Sequence, residues 1–134
     1  MKKRMKLMLM TAVVLGAFIL GGCAKYPSSH NASGFVHTNR SKTADMTFSS
    51  FSGSQTFTMQ ADGGEGGQIS YSARLESGEA TVYYDSDGTK KELFSVRAGE
   101  NVDAAGGELK KGTLYVIVET SGNCTNGEFH FSIP

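Results

Sequence analysis

From Gly34 onward the chain alternates apolar and polar residues with a period of two, and no proline interrupts it before Pro134. A period of two sends successive side chains to opposite faces of an extended strand, and the missing prolines leave every ladder donor in place. In Gln68–Glu76, Ile69, Tyr71, Ala73 and Leu75 face one way, and Ser70, Ser72, Arg74 and Glu76 the other. Ser77-Gly78 turns the chain; Ala80, Val82 and Tyr84 then point inward, with Thr81 and Tyr83 outward. Asp85-Ser86-Asp87-Gly88 is a second turn signal, after which Phe94 and Val96 continue inward. Leu114–Val118 is apolar on both faces, which predicts a central strand. After the loop Ser121–Gly127, Phe129, Phe131 and Ile133 alternate with His130 and Ser132. Met46 with Phe48, and Phe57 with Met59, supply two more strands. Fourteen of the 17 glycines lie in residues 23–134, enough for a turn between each pair of short strands. The expectation is an all-β, antiparallel β-sandwich of about eight short strands. Its core should hold Ile69, Tyr71, Leu75, Val82, Tyr84, Phe94, Val96, Ile117, Phe129 and Phe131.

The first 23 residues are of another kind. Lys2, Lys3, Arg4 and Lys6 form a basic start, and Leu7–Leu20 is a 14-residue apolar run, shorter than the ~20 residues that span a bilayer as a helix. This predicts a secretory signal helix. Leu20-Gly21-Gly22-Cys23 closes it and resembles the lipobox of bacterial lipoproteins, with Gly21 where that family more often has Ala or Ser. The resemblance implies cleavage before Cys23, a diacylglyceryl thioether on its sulfur, and a membrane-anchored protein facing out of the cytoplasm. Cys124 then has no thiol partner in the chain, whereas a Cys23–Cys124 disulfide is the competing reading. Ala24–Gly34 is polar and aperiodic, and reads as a flexible tether. The expected organisation is a signal peptide over 1–22, a lipidated Cys and tether over 23–34, and a β-sandwich over 35–134.

The segment Leu109–Val118, a loop, and Gly127-Glu128-Phe129-His130-Phe131 resembles the last hairpin of small extracellular jelly-roll modules, such as pre-peptidase C-terminal-type and carbohydrate-binding domains. That likeness spans about a quarter of the chain and implies a jelly-roll-like sandwich.

Charge narrows the partners. The 13 Lys and Arg balance 13 Asp and Glu, but four of the basic residues lie before residue 7. Residues 23–134 hold nine basic against 13 acidic residues, a balance of −4, which offers no footprint for nucleic acid.

No catalytic constellation, metal signature or cofactor motif is evident. His30 sits in the tether, His37 at the start of the domain, and His130 on the outward side of the last strand. Asp62-Gly63-Gly64-Glu65-Gly66-Gly67 lacks the lysine and following helix of a phosphate site, and reads as a loop. Asp85-x-Asp87-Gly88 opens like a calcium loop, but Val96 occupies the position of its closing glutamate, so a plain turn is expected. The Asn31, Asn39 and Asn123 sequons read as chance in a Ser/Thr/Asn-rich surface. Sugar-binding sandwiches commonly stack an aromatic ring on the sugar, and the chain has no Trp. Tyr83 is the outward aromatic available, with Arg74 or Arg97 as a polar partner. The expected function is a lipid-anchored, non-enzymatic binding or adhesion module for a protein, glycan or envelope component. A structural or assembly accessory of the cell envelope is the alternative, with a hydrolase behind both.

Overall fold

The computed structural model describes residues 25–63 and 67–134. The expected signal helix, Cys23 and the middle of the Asp62–Gly67 loop lie outside the described residues. Nine strands are present among them and no helix. They are β1 (Ser29–Ser33), β2 (Val36–Asn39), β3 (Thr43–Ala61), β4 (Ile69–Arg74), β5 (Glu79–Asp85), β6 (Lys91–Arg97), β7 (Asn101–Gly106), β8 (Gly112–Thr120) and β9 (Cys124–Ser132). All pair antiparallel, in the order β6-β5-β8-β3-β9-β4-β7, with β1 and β2 also on β3.

The two strands expected around Met46 and Phe57 are one strand of 19 residues. Straight, it would run about 60 Å at ~3.3 Å per residue, twice the width of a domain this size, so it has to bend. Thr43–Phe51 pairs with β9 and Ser54–Ala61 with β8, which folds the sheet into two layers. The first layer is β7-β4-β9 with the N-terminal half of β3 and β2; the second is the C-terminal half of β3 with β8, β5 and β6. Gly53 sits at the bend with φ +127°, where a Cβ would come within 2.2 Å of the Ser29 carbonyl oxygen and 2.7 Å of His30 Cα. Glycine is what lets β1 pair there. A second irregularity faces Ser49, where Asn126 takes φ +44°. The buried phase slips there on both strands, from Phe48 to Phe51 on β3 and from Gly127 to Cys124 on β9.

The layers close on aromatic contacts. Tyr71 on β4 stacks on Phe94 of β6 with centroids 4.2 Å apart, and Phe131 of β9 meets Phe57 at 6.1 Å and Phe94 at 6.4 Å. Of the ten expected core residues all are buried except Tyr71, which is partly so. β8 is interior to its layer, between β5 and β3, as its two apolar faces require. Cys124 is a buried free thiol among the described residues. Its Sγ donates to the Glu79 carbonyl at 3.5 Å, and burial pushes its pKa up, away from thiolate chemistry.

The tether expected over 23–34 is corrected from Lys25 on. Ser29–Ser33 is β1, paired with Ser50–Ser54, and His30 packs between Phe35 and Phe51 with Nε2 3.1 Å from Gln55 Oε1. Ahead of it, Tyr26 donates its hydroxyl to Asp85 Oδ2 at 2.7 Å, and Lys25 Nζ lies 3.0 Å from the same oxygen. The turn Asp85–Gly88 is held through Asp85 by donors of the chain itself. Asp85 is 2% exposed, and its Oδ1 accepts the Gly88 N–H at 2.7 Å. Burial alone would raise the Asp85 pKa, but the hydrogen bonds from Tyr26, Lys25 and Gly88 outweigh it and hold the group below its ordinary value. Burial, and then Asp85 itself, push the Tyr26 phenol up to about 12.

Tyr26→Phe takes one donor from a buried carboxylate and is expected to cost about 1–3 kcal/mol at neutral pH. Asp85 is a depressed carboxylate, so the stability it contributes is present above its unfolded value and fades as pH falls through the lower folded one. Denaturant melts at neutral and acid pH check both, and an unchanged neutral midpoint would mean that Tyr26 is not held.

Candidate functional site

The outward face of the first layer is built from the polar phase of five strands. Their register aligns Thr38, Asp45, His130, Ser72 and Asp103 in one row across β2, β3, β9, β4 and β7. The adjacent row is Val36, Thr47, Glu128, Arg74 and Asn101. Strands lie about 4.8 Å apart, so each row spans roughly 19 Å. Two adjoining grooves of about 300 and 240 Å³ open on this face. Ser72, Asp103 and His130 line both; Asp45 and Ser70 belong to the first, and Arg74, Asn101 and Glu128 to the second.

The polar groups hold one another. Thr38 Oγ1 donates to Asp45 Oδ2 at 3.0 Å, and Asp45 Oδ1 lies 2.6 Å from His130 Nδ1. His130 Nε2 is 3.3 Å from Glu128 Oε1, and Glu128 Oε2 accepts from Arg74. A neutral imidazole donates from one nitrogen, whereas the imidazolium donates from both. The Asp45 hydrogen bond, aided by Glu128, therefore raises the His130 pKa, and His130 and then Arg74 lower that of Glu128. His130, being raised, contributes its ion-paired stability below its unfolded value of about 6.5 and loses it as pH rises through the higher folded one. Glu128, being depressed, contributes above about 4.5 and loses it as pH falls. Proton NMR should find the His130 ring titrating above 6.5, and Asp45→Asn should bring the midpoint down. A midpoint unmoved by Asp45→Asn would contradict the pair.

His130 and Asp45 keep 46% and 42% of their side-chain surface. Both groups are therefore open to solvent and to a ligand from outside. Among the described residues no three His, Cys, Asp or Glu are grouped to hold a metal ion.

The two binding residues read from sequence fall on opposite faces. Arg74 is on β4 of the first layer, paired with Glu128 at the second groove. Tyr83 is on β5 of the second layer, beside a bulge, with Lys90 Nζ 4.5 Å from its ring centroid. Arg97 shares the second layer with Tyr83, on β6, where it pairs with Glu79. Sequence reasoning missed Asp45, Ser72, Asp103 and Glu128 as a group. The outward phase of Asp45, Ser72 and Glu128 on single strands was readable, but that of Asp103 on exposed β7 and the register that joins the four strands were not.

No protein-family model matches the chain, and no curated protein matches it. Solved structures do. TmCBM61, in complex with β-1,4-galactotriose, is 12% identical over 81% of this chain and 88% of its own, with a TM-score of 0.51. A mutant of the family 29 carbohydrate-binding module CBM29-2, complexed with mannohexaose, is 10% identical over 81% and 79%, with a TM-score of 0.42. The Drosophila melanogaster CENP-C cupin domain is 18% identical over 69% and 60%, with a TM-score of 0.31. The chain has the jelly-roll-like antiparallel sandwich that the first of these has. A shared fold of this kind hosts many functions, so the site has to carry the argument.

Proposed function

We propose that the protein is a bacterial lipoprotein, anchored outside the cytoplasm through Cys23, whose sandwich is a non-enzymatic module that binds a glycan along the outer face of the first layer. The observation that carries the ligand site is the row Asp45–His130–Ser72–Asp103, in register across four strands and lining two continuous grooves. Sugar hydroxyls are matched by carboxylates, serines and an imidazole, and of these Asp45, His130 and Glu128 hold one another before the ligand arrives, which lowers the ordering cost of binding. No aromatic side chain occupies the outward positions of the two rows, so the affinity comes from hydrogen bonds rather than ring stacking. The β-1,4-galactotriose in complex with TmCBM61 supports glycans as the class to try first.

An envelope accessory docked on a large partner would be expected to expose a broad apolar patch. Among the described residues Val36, 64% exposed, is the one large hydrophobic left open, and it stands on an edge strand.

The proposal is tested on the full-length protein extracted in detergent, with a glycan array, an envelope pull-down and a hydrolase substrate panel in parallel. Glycan capture that weakens in Asp103→Ala is expected. Turnover abolished by His130→Ala would make the protein an enzyme instead. The anchor is tested separately. Cys23→Ala should leave an unprocessed precursor or release the protein from membranes, and mass spectrometry of the mature N-terminus should find an acylated Cys23. An unmodified Cys23 would refute the lipoprotein reading.

A further inference from the structure

The outer face of the second layer is closed by the chain's own N-terminal segment. Tyr26 packs edge-on against Tyr115 of β8, with centroids 5.3 Å apart, and its hydroxyl holds Asp85 of β5. Lys25 Nζ reaches the same carboxylate at 3.0 Å, and Ser28 Oγ accepts the Thr56 N–H of β3 at 2.8 Å. Lys25 through Ser28 are thus tied to three strands of one layer.

This changes what an attachment at Cys23 does to the domain. A free linker over residues 23–34 would reach roughly 15–20 Å from its anchor. With Lys25 held, two Cα–Cα steps remain, about 7 Å at full extension. An attachment that short cannot let the domain turn over.

We propose that Lys25–Ser28 is an orienting strap, which seats the outer face of the second layer on the phospholipid headgroups and turns the grooves of the first layer away from the membrane. The inference rests on the reading of Cys23 as a lipid anchor. Two further features fit this occupant. The rings of Tyr26 and Tyr115 lie on this face, and tyrosine suits the headgroup level, with an apolar ring and a polar tip. Lys90, with Nζ 4.5 Å from the Tyr83 centroid and 5.9 Å from that of Tyr26, adds a second ammonium group to this face, where lipid phosphate competes with its ion pair to Glu119 Oε2 at 2.6 Å. The layers of a sandwich lie about 10 Å apart, so the grooves open on the far side, where a ligand arriving from outside would meet them.

The chain has no Trp, so a single introduced Trp is a clean reporter. Thr113 is exposed on β8 in the second layer, and Ala105 is exposed on β7 in the first. Full-length acylated protein carrying Thr113→Trp or Ala105→Trp is placed in vesicles of phosphatidylglycerol and phosphatidylethanolamine with brominated acyl chains. Thr113→Trp is expected to lose most of its emission, and Ala105→Trp to keep nearly all of it. A flexible Gly-Ser insert of about ten residues between Ala24 and Lys25 leaves the strap docked and should abolish the difference. Equal quenching at both positions in acylated, membrane-bound protein without the insert overturns the strap and leaves the anchor standing. Protein recovered in the supernatant with an unmodified Cys23 overturns the anchor, and the orientation with it.

Discussion

Phe129→Ala is expected to lower the stability of the folded domain by about 3–5 kcal/mol, from the lost transfer energy of the ring and the cavity it leaves. Phe129 is fully buried on β9, between Met46 of β3 and Ala73 of β4 in the ladder, with Phe48 at 6.4 Å and Phe131 at 6.5 Å between centroids. Those neighbours belong to the paired strands β3, β4 and β9, which cannot collapse into the space without breaking the pairing that holds the layer together. For a domain near 100 residues such a loss lowers the melting midpoint by roughly 12 °C or more. His130→Ala, the next residue but outward-facing, is the control and should move the midpoint far less. A Phe129→Ala midpoint equal to that of the parent would mean that β9 presents its other face to the core.

Gly53→Ala is the second large effect expected, and it acts through the backbone. At φ +127° an L side chain is strained by about 1–3 kcal/mol before any contact is counted. The added Cβ would then meet the Ser29 carbonyl oxygen and His30 Cα, backbone atoms that can retreat only if β1 leaves β3. The total is expected to be about 3 kcal/mol or more, close to that of a core cavity. Hydrogen exchange separates the two cases. Gly53→Ala should deprotect the amides of Ser29–Ser33 selectively, whereas Phe129→Ala should loosen β3, β4 and β9 together. Full protection of β1 in Gly53→Ala would contradict the close approach.

How much of this was readable in advance depended on what each strand buries. β4, β5, β8 and β9 have one or two buried faces, and the alternation of Ile69-Tyr71-Ala73 or Phe129-Phe131 followed directly. β1, β2 and β7 are largely exposed along their length, so no apolar period marked them. Met46 with Phe48 and Phe57 with Met59 read as two strands, yet the chain runs extended through Ser49–Ser54 between them because β1 and β9 pair with it there. Ala24–Gly34 had the composition of a linker. From Lys25 on, its order comes from Asp85, 59 residues away from Tyr26, and from the pairing of Ser29–Ser33 with Ser50–Ser54, and such partners leave no local trace. The site was hidden for the same reason: Asp45 and His130 are 85 residues apart and meet through a shared strand register. Of the site, Arg74 and the outward phase of His130 were legible; the row they join was not.

The central claim is that the grooves of the first layer bind a glycan. Calorimetric titration of β-1,4-linked galacto-oligosaccharides into the detergent-solubilised full-length protein, its Asp103→Ala variant and its Tyr83→Ala variant tests it most directly. Loss of a charged hydrogen bond to a ligand hydroxyl is worth about 1.5–3 kcal/mol, so Asp103→Ala should weaken binding by roughly tenfold or more while Tyr83→Ala leaves it unchanged. Binding that survives Asp103→Ala intact and is lost in Tyr83→Ala would place the ligand on the opposite face and contradict the account.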